Sequence, residues 1–476
     1  MEQKTRIPAW LITALLFIAI AALRIPYITN SPYEIDSWRQ SDTESIARHF
    51  VETKFNVFYP QFNYQGPLPN YVELEFQITP FLIAILYKLF GYQYWLARLV
   101  PLAFFMGSAW FLYLISRTFY SKRTAWIAVL LYGILPVTVT YSRAIMPEAA
   151  SLFFYLGAFY AFTVWIRRGG TAFVLTAALF TALAISLKVP TVFVGIPMIF
   201  MAAAKFKWRM AVNWRLWLFA AVALGLPVLY YAWASSIAEF QFVSGIASKH
   251  IFPKMATAVF TPETWEFFLR ELPKAFTWPL LALAAAGLLA GFRQKDIPLR
   301  VWGWAMLLEL ATIVAVIKFD YYLIFFAPVA ALLAAKTIGR LAELPRFGWI
   351  PAAAAVAGIG WACALMMNPD YGKEKTVILE QARAVERLTK PGDLIVVGTD
   401  DPSLLNASHR VGWRVLNSIP DDPVKELEYF RAGGAAYFVP LKGQIDGDRA
   451  GELRRYLDSK YKKIPVAGGY DIYRLK

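Results

Sequence analysis

With 476 residues, 58% of them hydrophobic, only 17% charged and a mean hydropathy of +0.45, the chain is excluded from the ordinary water-soluble enzymes. Apolar stretches of roughly 17–25 residues, the length that crosses a hydrocarbon core about 30 Å thick, recur along it, so the fold class expected is an α-helical polytopic membrane protein. The formal net charge of +15 lies mostly in short loops between apolar runs, where it reads as topology; this argues against nucleic acid as a partner.

The first span is expected over 8–28. Lys4 and Arg6 precede it, which places the N-terminus in the cytoplasm, and with no A-x-A-like site behind it the span reads as a retained anchor. Next comes the stretch from Tyr33 to Glu44, which crowds Glu34, Asp36, Arg39, Asp42 and Glu44 against the membrane on the outer side. Charges that close to hydrocarbon are usually there for chemistry or ligand binding, although a solvated acidic loop would look the same residue by residue. Ser41 and Glu44 have the spacing of a capping box, so a surface helix is expected to start at Asp42 with Ile46, Phe50 and Val51 on its apolar side. Asp36 then lies in the turn between a span and that helix. An irregular aromatic and Pro-rich stretch follows over 56–69, and a second outer helix is expected over 70–90, ended by Gly91.

Further spans are expected over 94–115, 125–141 and on to Trp165, with Arg117, Lys122, Arg123, Arg167 and Arg168 marking the inner loops. A tight pair, 172–187 and 189–204, turns at Lys188. After a span at 216–234, a long outer loop over 235–278 carries an expected helix at 262–272 with Trp265, Phe268, Leu269 and Leu272 on its apolar side. The next span ends at Arg293, another climbs past Glu309 to Lys318, and one descends to Lys336 and Arg340. A last span, 349–366, leaves the tail outside, for about eleven spans in all. After Pro369 the composition turns mixed and charged. Short strands at 394–398 and 435–439 and helices at 424–431 and 449–460 make residues 369–476 an expected small α/β domain appended to a membrane domain over 1–368. It has neither a G-x-G-x-x-G nor a P-loop.

The single cysteine, Cys363, lies in an apolar run and permits no intramolecular disulfide. His49, His250 and His409 have no metal-ligand spacing. Four outer turns carry polar residues that topology does not require: Asp36 and Arg39; Arg143 and Glu148; Lys188; and Lys318 and Asp320. Each alone reads equally well as an interfacial anchor snorkelling to water. Together, cations and carboxylates at one membrane face suit an anionic lipid head group and a nucleophile that must lose a proton.

The order of an Asp in the first outer loop, a surface helix, Lys88-Leu-Phe-Gly91, Ala97-Arg98-Leu99, Tyr141-Ser-Arg143-x-x-Met-Pro-Glu148, Leu187-Lys188 and Lys318-x-x-Tyr321-Tyr322 with Pro328 resembles the GT-C glycosyltransferases. More narrowly, the chain is similar to bacterial relatives of the dolichyl-phosphate-mannose protein mannosyltransferases and of the lipid A aminoarabinose transferase. The resemblance implies a polyprenyl-phosphate sugar donor, a lipid, glycan or protein acceptor, and inverting transfer at the extracytoplasmic face of a bacterial inner membrane. By position it implies Asp36 and Glu148 as catalytic residues, with Lys188, Lys318 and Tyr321 at the donor phosphate; Arg39 and Arg143, as cations at the same face, are the further candidates for that phosphate. Many relatives carry Asp-Glu in the first loop where this chain has Asp36-Ser37, so Glu34 or Asp42 could carry part of the role of Asp36; Asp320, in the turn after Lys318, is a further secondary candidate. A divalent cation between Asp36 and Glu148 is left open, since without a histidine beside them the ligand set is poor for zinc. The rival reading is a transporter or lipid-linked-glycan flippase, which would bury charges along its spans; Glu309 alone fits that pattern.

Overall fold

The computed structural model describes residues 8–290, 294–416, 418–419 and 421–476. Lys4, Arg6 and Arg293, used above for sidedness, lie outside the described residues.

The apolar first run forms α1 (Ala9–Ala22), and the chain leaves it before Pro26. Arg24, fully buried, closes its end by donating to Ser142 Oγ at 2.7 Å and lying over the Phe105 ring. Asp36 then adopts the left-handed conformation (φ 52°) and α2 runs over Ser37–Glu52. The expected start at Asp42 is therefore more than a turn late. Ser41 does not cap, because its hydroxyl donates back to Trp38 O, and Glu44 instead accepts from Arg48 and Tyr87. The local spacing suggested a cap whose two members are used in other contacts.

The second outer helix, α3 (Ile78–Phe90), also starts later than the expected position 70, because Val72–Glu73 pairs in parallel with Phe240–Gln241 as strands β2 and β3, once β1 has passed at Gln65–Gly66. It ends at Gly91, where φ 82° suits a residue without Cβ and its N–H reaches Tyr87 O. The bundle continues through α4 (Tyr94–Phe119), α5 (Lys122–Ile134), α6 (Pro136–Tyr141), α7 (Glu148–Arg168), α8 (Thr171–Leu187), α9 (Gly195–Phe206) and α10 (Trp214–Ile237). Helices at Pro262–Phe276 and Trp278–Leu289 meet at 96°, and Ile297–Glu309, Ala327–Ala342 and Trp349–Met366 complete it.

Among the described residues six helices are long and apolar enough to cross a membrane, or seven if the bent pair is one span. The remaining spans expected from sequence are shorter or broken. Pro136, which cannot donate to Tyr132 O, splits the run at 125–141 into α5 and α6, while α1, α8 and Ala327–Ala342 have 14, 17 and 16 residues. α7 lies at the centre and α10 at the rim, where Trp217, Val228 and Leu229 face outward. Close packing of Trp278–Leu289 on Ala327–Ala342 depends on Gly287, where a Cβ would stand 2.2 Å from Leu333 O. On the Pro262–Phe276 helix the inward side is Thr264, Phe267, Phe268, Ala275 and Phe276; Trp265 and Leu269 are exposed, so the expected apolar side is rotated.

The tail builds strands β4 (Ile395–Val397), β5 (Gly412–Arg414), β6 (Tyr437–Val439), β7 (Lys462–Ile464) and β8 (Ile472–Arg474) in the order β1-β5-β4-β6-β8-β7. β1 comes from the first outer segment and runs antiparallel to β5, so the sheet draws on both parts of the chain.

Candidate active site

Polar side chains gather where α2 begins, α7 begins, α8 ends and the 318–325 turn passes. At the base lies a buried ion cluster. Glu34 sits between Arg98, 3.0 Å from Oε1, and Arg143, 3.0 Å from Oε2. Arg98 further donates to the carbonyls of Asn30, Ser31 and Arg143 and to Gln40 Oε1, and Arg143 donates to Tyr371 OH and Tyr27 O. Every nitrogen of both guanidiniums has a protein acceptor. Such a cluster, once desolvated, is costly to break, and it joins Glu34 and Arg143 in a framework that holds the first loop. Arg98, from the first turns of α4, is its third member.

Above the cluster, Asp36 is half-buried at the N-cap position of α2 and caps nothing with its side chain. Its Oδ2 lies 2.9 Å from Tyr141 OH, and Asp320 Oδ2 lies 2.8 Å from the same hydroxyl. A phenol carries one proton, so it donates to one carboxylate, and the other contact is favourable only if that carboxyl carries a proton. Burial, and then the Asp320 charge, pushes the Asp36 carboxyl up to about 6, and burial raises Asp320 as well. The backbone at Lys318 is also left-handed (φ 49°), so both turns that carry site residues hold a conformation uncommon outside glycine.

Glu148, the first residue of α7, is fully buried with an oxygen 2.7 Å from Lys188 Nζ. The ammonium also lies 5.5 Å and 5.0 Å from the Tyr321 and Tyr322 ring centres. Burial opposes the Lys188 charge, yet Glu148 and then Tyr322 hold it above the usual lysine range. Arg39 pairs with Glu75. Glu75 keeps its own charge despite burial because Arg39 and then Lys188 hold it below the usual range. It was missed in the sequence; the signal was Glu73-Leu-Glu75 inside a stretch read as helix. Tyr321 stacks on Phe319, centroids 5.3 Å apart, and lies 6.1 Å from Tyr141. Lys318 is half-buried and among the described residues has no ion-pair partner.

Asp42 is not at the helix start; it is a buried residue of the second turn that accepts from Asn406 Nδ2 at 3.0 Å, and burial raises it to about 7. The tail therefore covers the polar side of α2. Ser403 donates to Ser37 Oγ, and Lys375 Nζ reaches that same oxygen at 2.7 Å, beside Asp36. Asp36 and Glu148 fit a shared divalent cation poorly, because the Lys188 ammonium already occupies the Glu148 oxygen. Among the described residues no three His, Cys, Asp or Glu side chains form a metal group.

The geometry provides a half-buried carboxylate of raised basicity beside cations, at one end of a membrane bundle. The family model for dolichyl-phosphate-mannose-protein mannosyltransferase matches residues 78–233. No curated protein matches the sequence. ArnT from Cupriavidus metallidurans bound to undecaprenyl phosphate matches at a TM-score of 0.71 and 12% identity, over 98% of this chain and 98% of that one. Its apo form matches at 0.69 and 14%, over 98% and 99%. The apo oligosaccharyltransferase from Archaeoglobus fulgidus matches at 0.61 and 13%, over 92% of this chain and 70% of that one. The fold is that of the GT-C polytopic glycosyltransferases.

Proposed function

We propose that this GT-C-fold chain is an inverting glycosyltransferase that moves a sugar from a polyprenyl-phosphate carrier to a lipid, glycan or protein acceptor at the extracytoplasmic face of a bacterial inner membrane. The observation that carries the reading is the set Asp36, Tyr141 and Asp320 beside Lys188, Arg39 and Lys318, at one end of a lipid-facing bundle. Asp36 takes the proton of the acceptor hydroxyl or amine as that atom attacks the anomeric carbon opposite the phosphate. The bond from that carbon to the phosphate oxygen breaks, and polyprenyl phosphate leaves with its charge facing Lys318, Arg39 and Lys188. Glu148 positions Lys188, and Tyr321 walls the donor. The bound undecaprenyl phosphate of the Cupriavidus neighbour and the dolichol-phosphate of an Archaeoglobus oligosaccharyltransferase complex support the carrier class. In proteoliposomes given radiolabelled polyprenyl-phosphate sugar, label should leave the carrier in the presence of acceptor. Movement of intact carrier across the bilayer without cleavage would make the chain a flippase instead.

A base must be ionised to act, so transfer should rise as pH passes about 6, where Asp36 loses its proton. The Tyr141 hydrogen bond favours the charged carboxylate and Lys375 adds to it, against Asp320 and Glu148. Removing the bond in Tyr141→Phe should move the acidic limb of the kcat/KM profile to higher pH; an unmoved limb would dissociate that titration from Asp36.

Basic inner loops support a cytoplasmic N-terminus and an extracytoplasmic tail over 369–476. In a Cys363→Ala background, Gly392→Cys should react with an impermeant thiol reagent added to intact cells and Arg168→Cys should not, both sites being exposed. Labelling of both from one side would end this orientation.

A further inference from the structure

At the end of the bundle remote from Asp36 a cleft of about 450 Å³ opens between the last turns of α4, α7 and α9 and the start of Ile297–Glu309. Arg167 stands nineteen residues along α7 from Glu148, about 28 Å away at 1.5 Å per residue. The lining includes Arg167, Lys205 and Lys295, and no carboxylate. The neighbouring Asp296 is buried and turned to Lys336, 3.6 Å away. Arg167 is steadied by a bond to Thr118 O at 2.9 Å and by the Phe119 ring, and Lys205 by Ile166 O. Each cation keeps further N–H donors for a ligand.

Deeper along the same helices the walls turn apolar: Ile166, Phe200 and Met201 line the cleft within about two turns of the cations. Trp208, Trp214 and Trp217, all exposed, follow Lys205 in the chain and mark this level as a membrane–water interface. Three cations at head-group depth over an apolar slot are complementary to one molecule type, an anion joined to a hydrocarbon chain. We infer that this cleft binds an anionic phospholipid, with its phosphate among Arg167, Lys205 and Lys295 and the first methylenes of an acyl chain against Ile166, Phe200 and Met201. Zwitterionic lipid fits less well, because no carboxylate in the lining answers a choline or an ammonium.

The test uses the full-length protein in phosphatidylcholine nanodiscs doped with phosphatidylglycerol, with retained lipid read by native mass spectrometry after transfer to detergent. One phosphatidylglycerol should be kept in preference to phosphatidylcholine. A basic side chain at such a surface is worth about fivefold in affinity, so Arg167→Gln/Lys205→Gln/Lys295→Gln should weaken retention roughly 100-fold. Lys295→Gln alone should weaken it about fivefold; its side chain is exposed and has no ion pair among the described residues, so this variant keeps the test valid if the triple variant misfolds. Equal retention of the two lipids by the wild type, or unchanged preference in Lys295→Gln, or unchanged preference in a folded triple variant, overturns the inference. So does displacement of the lipid by millimolar inorganic phosphate, which would make the cleft a site for free anions.

Discussion

Asp36→Asn is expected to lower turnover by roughly 10²–10⁴-fold while the protein still folds and binds donor lipid. Asparagine keeps the size of the side chain and its acceptor oxygen for Tyr141, so the contact at 2.9 Å can survive, while the basicity is gone. No backbone bond depends on the Asp36 side chain, and the left-handed turn it occupies is one that asparagine tolerates well. The comparison that isolates chemistry from packing is Asp42→Asn. That residue lies six positions, nearly two turns, further along α2, buried under Asn406, and the amide keeps an oxygen for the same donor. Its turnover should stay near wild type. Donor binding is read separately, by protection of the purified protein against heat on adding polyprenyl phosphate. Wild-type turnover in Asp36→Asn would remove the base from this loop, and loss in Asp42→Asn alone would move it to the second turn of the helix.

Lys188→Met is the second large effect, and it separates two roles. Methionine fills much of the space of the lysine stem, so the loss is chiefly the charge. The Glu148 carboxylate is fully buried with the ammonium 2.7 Å away, and stripping one partner from such a pair costs about 3–5 kcal/mol because the other charge is left in low dielectric. A large drop in thermal midpoint is expected. Lys188→Met/Glu148→Gln removes both charges and should recover much of that stability. If Lys188 also faces the donor phosphate, the double variant stays poor in transfer and weak in donor affinity. If stability and transfer return together, the pair is a packing device and the phosphate is held elsewhere, with Lys318 and Arg39 next in line.

What could be read from the sequence was whatever short-range patterns carry. Hydropathy and basic loops point to a helical membrane bundle, and the order of charged turns pointed to one polar end, because each turn is short and its charges lie next to apolar runs. The misplaced start of α2 shows the opposite case. Ser41 and Glu44 match a cap by spacing, but their partners are Trp38, Arg48 and Tyr87, and the tertiary contact with Tyr87 outweighs the local preference. Glu34 looked like a free acid because its partners, Arg98 and Arg143, lie 64 and 109 positions away. Glu75 escaped notice for the same reason: its meaning comes from Arg39, which reaches it from α2, 36 positions earlier. The strand β1 is two residues long, too short for any periodicity, and exists only because β5 lies beside it.

That pairing has a consequence for the order of synthesis. Gln65 and Gly66 pair with Trp413 and Gly412, and Asn63 holds Asn406, which is made 343 residues later. At about 5–20 residues per second a ribosome needs roughly 17–70 s to travel from one to the other. Through that interval the buried polar side of α2, with Ser37, Ser41 and Asp42, has nothing to pack against, and the turn bearing Asp36 lacks Lys375 beside it. The loop that emerges first is among the last parts of the molecule to be completed. Activity in a chain already inserted in the membrane is thus expected only once residues 375–414 have been made and folded against α2, and a stop before Ser403 is expected to leave Ser37, Ser41 and Asp42 without these partners.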